Sequence, residues 1–398
     1  MRVLLVNSKV NFGSTGRICE EIGGLLIDNN HESYIAYGRG IGISKSKLIK
    51  IGANVDVFMH GLKTLFTDRH GFGSLLATRK FIQKIKKVKP DIIHLHNTHG
   101  YYLNIEVLFN YIKQNTLPLI WTFHDSWAYT GHCTFYDSIS CVKWQSECER
   151  CPKIHNYPKS LFFDQSNRNF KNKVSLYGNL NNMFIVTPSN WLKKEVKESF
   201  LRNQSTRVIH NGIDLSAFKP CLNQVIKRKI VLGVASTWDY RKGLADFIEL
   251  AKLLPRNMQI VLIGLSSKQI SSLPTNIKGI KRTENLDELV MWYNKAMVFL
   301  NPTWQDNFPT TNLEALACGT PVITYNTGGS PEALDEKTGF VVEKGDINGV
   351  LQAIEKIEVL GKEHFSKNCR QRAELLFNKD DRYNDYINLY EEVLAVDV

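Results

Sequence analysis

Two carboxylates eight positions apart, Asp306 and Glu314, stand in the stretch Asn301 to Glu332, NPTWQDNFPTTNLEALACGTPVITYNTGGSPE. An apolar run, Met297 to Leu300, precedes it and reads as a buried parallel strand. The turn-rich segment with Asn301, Pro302, Asp306, Asn307 and Pro309 predicts a loop, and Thr311 to Ala317 predicts a short helix. The helix stops at Cys318-Gly319-Thr320-Pro321, before a second strand, Val322 to Tyr325. In such a strand–loop–helix–strand unit, the loop and the helix N-terminus open on one crevice. Unpaired backbone N–H groups there attract an anion such as a phosphate. A further turn, Thr327 to Glu332, opens onto the same edge. Two cations, Arg241 and Lys242, share a loop behind the apolar run Lys229 to Ser236, a placement that suits a nucleotide diphosphate.

A different chemistry is written in the cysteines. Four of the eight, Cys133, Cys141, Cys148 and Cys151, fall in the pattern C-x7-C-x6-C-x2-C. In a reducing compartment, clustered thiols with one CxxC favour a tetrahedral structural zinc, with four ordinary buried cysteines as the alternative. Such a site contributes on the order of 10 kcal/mol to folding, enough to order a loop with little core. Trp127, Tyr129, Phe135, Tyr136 and Trp144 surround the thiols, either to pack over a metal or to form a wall for an acceptor.

The order carboxylate-x7-Glu, then AlaLeuAlaCysGlyThrProVal, then GlyGlySerProGlu resembles the signature of the family-4 glycosyltransferases. The resemblance implies a retaining enzyme with the GT-B fold: two Rossmann-like, doubly wound α/β domains facing across a cleft. It departs in one place, since the family usually has Glu where this chain has Asp306, one methylene shorter. The family also puts an Arg five residues before the Lys, where Thr237 stands here; Arg241 is the candidate replacement beside Lys242. By resemblance, Glu314 holds the ribose hydroxyls and Asp306 the donor sugar. Asn307, Phe308, Pro309, Thr310 and Thr311 then lie beside the donor.

Earlier elements fit the same frame. Met1 to Asn7 reads as a strand, followed by a loop ending in Gly13, Ser14, Thr15 and Gly16 and a helix from Arg17 to Asp28. Its small residues allow close approach to a phosphate, and the family's N-terminal glycine loop lies at this place. Lys89 to Asn97 predicts a central strand similar to the family's PDxxHxH strand, with His94 in the core and His96 and His99 as candidates to line the cleft. Pro118 to Asp125 predicts the next strand, and the resemblance makes His124 a residue that touches the donor sugar. Asn182 to Trp191 resembles the PSxW step, with Ser189 or Asn190 as helix cap, and Val208 to Asp214 resembles the VIxNGID turn that ends the N-terminal domain.

The 398 residues are enough for two domains that each bury a core. We place an N-terminal acceptor domain at 1–215, carrying the Cys-rich insertion 127–165, and a C-terminal nucleotide-sugar domain at 216–380. The linker is expected near Leu215 to Lys229, Ser266 to Thr275 as a polar loop, and Asn285 to Tyr293 as a helix. The segment 381–398 reads as a helix with Tyr383, Tyr386, Ile387, Tyr390, Val393 and Leu394 on one face, which in this fold crosses back to the N-terminal domain.

Net charge is +11 and uneven: residues 1–210 hold 28 Lys and Arg against 15 Asp and Glu, whereas 211–398 hold 22 against 24. The basic half suggests contact with an anionic surface or acceptor, and Thr78 to Lys89 has helical apolar spacing with a lysine face outward. No apolar run approaches the ~20 residues of a membrane helix, and the start reads as a strand instead of a signal. The expected place is the cytoplasm, at the inner face of the membrane.

The resulting expectation is a retaining hexosyl transfer from a UDP-, GDP- or dTDP-sugar to a glycan or lipid-linked glycan, as in surface polysaccharide synthesis. No DxD follows a strand, so the charge on the phosphates falls to Lys242, Arg241 and a helix N-terminus, without a catalytic cofactor. Two rivals use the same residues differently. A GT-B epimerase would need no acceptor, and a zinc-containing nucleic-acid binder would leave Asp306 and Glu314 unexplained; a nucleic-acid partner is not expected.

Overall fold

The computed structural model describes residues 1–221 and 229–396. Its contacts divide the chain into two compact units, Met1–Ile209 with the residues from Tyr383 onward, and His210–Arg382.

Unit 1 is built on seven parallel strands: β1 Arg2–Asn7, β2 Glu32–Tyr37, β3 Lys47–Lys50, β4 Ile92–Leu95, β5 Leu119–Thr122, β6 Met183–Thr187 and β7 Ser205–Val208. Their order is β3-β2-β1-β4-β5-β6-β7. The central strands read as continuous apolar runs because helices cover both faces, as parallel sheets require. Unit 2 repeats the plan with six: β8 Lys229–Val234, β9 Met258–Ile263, β10 Ile277–Ile280, β11 Val298–Asn301, β12 Val322–Tyr325 and β13 Gly339–Val342, ordered β10-β9-β8-β11-β12-β13. In each sheet the winding direction reverses once, between β1 and β4 and between β8 and β11. Loops leaving those strands at their C-terminal ends diverge and leave a crevice.

The helix Lys379–Val396 closes unit 1. Its Tyr383, Tyr386, Ile387, Tyr390 and Val393 are buried against Val3, Leu5, Ile18, Ile92 and Ile120, as the apolar face of the sequence demands. The Tyr390 hydroxyl lies 2.6 Å from His94 Nδ1, and His94 Nε2 lies 2.8 Å from Thr122 Oγ1. His94 is therefore a satisfied core residue.

Several boundaries differ from the sequence expectation. The glycine-bearing stretch is the first turn of the helix Gly13–Asp28 and not a loop. Gly13 adopts φ +71°, which turns the chain directly into the helix, and a Cβ on Gly16 would lie 3.3 Å from both Asn11 N and Lys9 O. β5 ends at Thr122, so His124 and Asp125 stand beyond the strand. The supposed polar loop at 266–275 contains the short helix Ser267–Ser271, started by a reciprocal Ser266 and Gln269 capping box. Ser189 caps Asn190–Glu198 as expected, accepting from Leu192 N–H at 3.2 Å.

The turn His210–Asp214 packs with unit 2: Asn211 Nδ2 donates to the Phe308 carbonyl at 3.0 Å and Ile213 pairs with Asn378. Of the expected linker, residues 222–228 lie outside the described residues. The part before them is tied to unit 2, with Arg370 donating to Phe218 O at 2.8 Å and Cys221 N–H to Asn294 Oδ1 at 2.7 Å.

Burial holds His60, His70, His94, His96 and His124 of unit 1 uncharged. It lowers His60 to about 3, helped by Lys63, and His124 to about 4, and it holds His70, His94 and His96 well below 6.5. Unfolded, each imidazole takes up a proton below about pH 6.5, which the folded side chain refuses. Their contribution is thus fully present above that pH and drains away as pH falls toward about 4. Thermal unfolding should show a midpoint that drops from about pH 6.5 to about pH 4, with a shallower drop in His124→Asn; a flat native profile over that range contradicts it.

Candidate functional site

In unit 2 the loops after β8 and β11 meet. Lys242 Nζ lies 2.6 Å from Asp306 Oδ2, with both side chains about one-quarter exposed or less. The Arg241 carbonyl accepts the Trp304 N–H at 2.7 Å and the Thr303 hydroxyl at 3.1 Å, so the backbone joins the loops as well. Asp306 Oδ1 accepts the next N–H, that of Asn307, at 2.9 Å, which turns the carboxylate back over its own loop. The Arg241 guanidinium faces Asp239 at 2.9 Å instead of Asp306, and Asp239 also caps the one-turn helix Tyr240–Lys242. Lys242 and Asp306 are thus brought together, and Arg241 stands one carboxylate away on the same loop.

Behind Asp306 comes the helix Thr310–Ala317, preceded by Pro309, which gives it no side-chain cap, and with no acid in its first turn. Its N-terminal N–H groups therefore carry the uncompensated positive end of the helix dipole. Thr310 and Thr311 are half-buried on that turn, and Phe308 is buried, stacked on His210 at 4.9 Å. Glu314 lies one turn further along, buried, and its Oε2 accepts the Tyr293 hydroxyl at 2.7 Å. That hydrogen bond orients the carboxylate and compensates part of its burial.

Four residues that sequence reasoning passed over set this helix. Asn301 Nδ2 donates to Asn312 Oδ1 at 2.8 Å, Asn312 Nδ2 donates to Ser330 Oγ at 3.0 Å, and Ser330 Oγ lies 2.7 Å from Thr324 Oγ1. All are buried and link the ends of β11 and β12, the helix and the GlyGlySerPro turn. The readable signal was in two of them, Asn301 and Thr324, polar residues inside strands whose pattern calls for apolar ones. Asn211 is a fifth, since its bond to Phe308 O fixes the loop from the other side.

In unit 1, the ends of β4 and β5 form a cavity whose lining includes His96, His99, His124, Asp125 and Trp127. His124 Nε2 lies 3.1 Å from His96 Nδ1, the rings nearly parallel at 5.4 Å. With both imidazoles uncharged, one nitrogen of the pair donates and the other accepts. His99 Nε2 lies 2.7 Å from Asp125 Oδ2, and His99 Nδ1 lies 3.0 Å from the Tyr157 hydroxyl. Burial alone pushes the Asp125 carboxyl up, but the His99 imidazole and the Trp127 N–H outweigh it and leave it below its ordinary value. The Gly13, Ser14, Thr15 and Gly16 turn also belongs to this unit, after β1.

The insertion is not a loop with little core. Trp127, Tyr129, Tyr136 and Trp144 are buried in the main core of unit 1, Tyr136 and Trp144 stacked at 4.8 Å, so they form no open acceptor wall. The buried Lys173 ammonium, pulled down to about 7 by desolvation, donates to Trp127 O at 2.5 Å and Thr130 O at 2.9 Å. Cys133, Cys141, Cys148 and Cys151 are free thiols that line one cavity. Among the described residues no three His, Cys, Asp or Glu side chains stand in a ready-made metal cage.

With this geometry in hand, comparison with known proteins is specific. The model for Glycosyltransferase Family 4 matches residues 15–217, and that for Glycosyl transferases group 1 matches residues 228–358. WcaC of Escherichia coli strain K12, assigned by name to colanic acid biosynthesis as a glycosyl transferase, is 22% identical over 99% of this chain and 100% of its own. The UDP-Gal:alpha-D-GlcNAc-diphosphoundecaprenol alpha-1,3-galactosyltransferase of Escherichia coli is 28% identical over 50% of this chain and 57% of its own. Anabaena HepE, solved in complex with UDP-glucose, superposes with a TM-score of 0.67 at 15% identity, covering 98% of this chain and 100% of its own. The chain belongs to glycosyltransferase family 4 and is a glycosyltransferase of the GT-B fold.

Proposed function

We propose that this protein transfers a hexose from a nucleotide-sugar donor to a glycan acceptor with retention of configuration. The observation that carries the reading is the Lys242 ammonium, held 2.6 Å from Asp306 beside the uncapped N-terminus of Thr310–Ala317. As the glycosidic bond breaks, charge builds on the leaving diphosphate and on an oxocarbenium-like sugar. In this reading Lys242, Arg241 and the helix N–H groups meet the diphosphate charge as it develops, the form of stabilisation with the largest effect on such barriers. Glu314 takes the ribose hydroxyls and Asp306 the donor sugar; the uncharged His124 is assigned a sugar contact on the family resemblance alone. The departing phosphate accepts the acceptor's proton, and the chain's own cations replace a catalytic metal.

HepE, bound to UDP-glucose, supports a uridine diphosphate sugar as donor. The galactosyltransferase, whose name specifies a diphosphoundecaprenol acceptor, supports a lipid-linked glycan in surface polysaccharide synthesis, reached at the inner face of the membrane. An epimerase or a nucleic-acid binder would leave the family match of both halves without a purpose.

The four thiols of the insertion are assigned a structural zinc, supported by their common cavity and their unpaired state. The zinc would cross-link the insertion and supply no chemistry to the transfer; the thiols must turn inward to bind it.

Thermal-shift measurements against UDP-, GDP- and dTDP-sugars should show stabilisation by one nucleotide, abolished in Lys242→Ala. Turnover on that donor should fall at least tenfold in Glu314→Ala, since a charge-assisted hydrogen bond is worth ~1.5–3 kcal/mol. Full activity in that variant would remove Glu314 from the site. For the thiols, elemental analysis of protein purified without chelator should give zinc at one per chain, about half or less in Cys148→Ser Cys151→Ser; metal-free native protein would refute the assignment.

A further inference from the structure

We infer that the zinc ion of the insertion takes His132 Nε2 as a ligand, beside the thiolates of Cys133, Cys148 and Cys151, and leaves Cys141 outside. This rests on the zinc reading above and deepens it by naming the donor set, three sulfurs and one nitrogen. The His132 side chain is fully buried, and its Nδ1 lies 2.6 Å from Asp68 Oδ1. Asp68 is fixed in turn, since its Oδ2 accepts the Gln165 N–H at 2.8 Å and its carbonyl accepts Asn169 Nδ2 at 2.6 Å. A carboxylate at Nδ1 keeps the proton on that nitrogen and leaves Nε2 with a lone pair, the arrangement that metal-ligating histidines use. Nε2 is buried and makes no hydrogen bond; the Asn156 carbonyl faces the ring without closing one. The ring lines the same cavity as the four thiols.

Packing chooses the thiols. Gly131, just before His132, lets the CxxC pair approach, because a Cβ there would lie 2.7 Å from Cys148 Cβ. Cys151 is fixed through its N–H, which donates to Asp164 Oδ2 at 2.5 Å. Its thiol meets that of Cys133 and feels the His132 imidazole, and Cys148 interacts with Cys151 more strongly than with Cys141. Cys141 stands between the one-turn helices Asp137–Ile139 and Lys143–Gln145. Charge favours the same set. Four thiolates on a zinc ion leave two negative charges, whereas three thiolates and a neutral imidazole leave one. A single charge is what the buried Lys173 ammonium, which interacts with Cys148 and Cys133, can offset. The thiols close on the ion by turning inward.

X-ray absorption at the zinc edge, on the native full chain purified without chelator, reads the donor set and needs no variant. It should give three sulfurs at about 2.3 Å and one nitrogen at about 2.0 Å. Elemental analysis should find zinc at the native level in Cys141→Ser and largely lost in His132→Ala. Asp68→Asn, which keeps the ligands and removes the carboxylate behind the ring, should lower zinc affinity roughly tenfold or more in competition with a chelator. His132→Cys offers a fourth sulfur and should keep the metal, which separates a lost ligand from a lost fold. Four sulfurs in the native chain, or zinc kept in His132→Ala and lost in Cys141→Ser, would overturn the inference and leave the zinc reading standing. Metal-free native protein would remove both.

Discussion

The ion pair between Lys242 and Asp306 is the interaction around which unit 2 is arranged. At a point where the winding of a parallel sheet reverses, the loops from neighbouring strands run apart, and nothing in the sheet itself holds them at a fixed distance. Here a 2.6 Å contact spans the gap, backed by the Trp304 and Thr303 bonds to Arg241 O. Both charges keep access to solvent, so the pair adds at most about 1 kcal/mol to stability. Its larger effect is positional. A cation parked on a carboxylate is kept from collapsing onto its own backbone.

Positioning continues behind the surface. The helix Thr310–Ala317 is too short to be held by propensity, and buried side-chain hydrogen bonds from Asn301, Thr324 and Ser330 to Asn312 and to one another hold it instead. Such a network is stable only when its members are satisfied, which makes it rigid. The Tyr293 bond to Glu314 extends the same principle to a carboxylate. Unit 1 uses burial differently: it strips charge from His94, His96 and His124, so that its cavity offers neutral donors and acceptors beside the single Asp125 and His99 pair.

Much of this was legible in the sequence because parallel strands are continuous apolar runs and their ends carry turn residues. β12 falls where the pattern puts it, and the apolar face of Lys379–Val396 is the one that is buried. The carboxylate spacing at 306 and 314 and the adjacent Arg241 and Lys242 were visible as chemistry before any fold was known. What stayed hidden depends on pairing in space. Nothing local says that Lys242 reaches Asp306, that Asn211 reaches Phe308 O, or that Asn312 is a hub. The glycine stretch misled because Gly13 reads as a loop residue, whereas its positive φ starts the helix. The insertion misled because its aromatics look like an exposed wall until the core of unit 1 takes them in.

The account stands or falls on whether unit 2 reads a second phosphate. Calorimetric titration of the protein with UDP and with UMP, in native chain and in Lys242→Met, measures that directly. UDP should bind at least about tenfold more tightly than UMP, a difference of ~1.4 kcal/mol, and the advantage should vanish in the variant. Equal affinities for UDP and UMP in the native protein, or an advantage that survives the loss of Lys242, would contradict it.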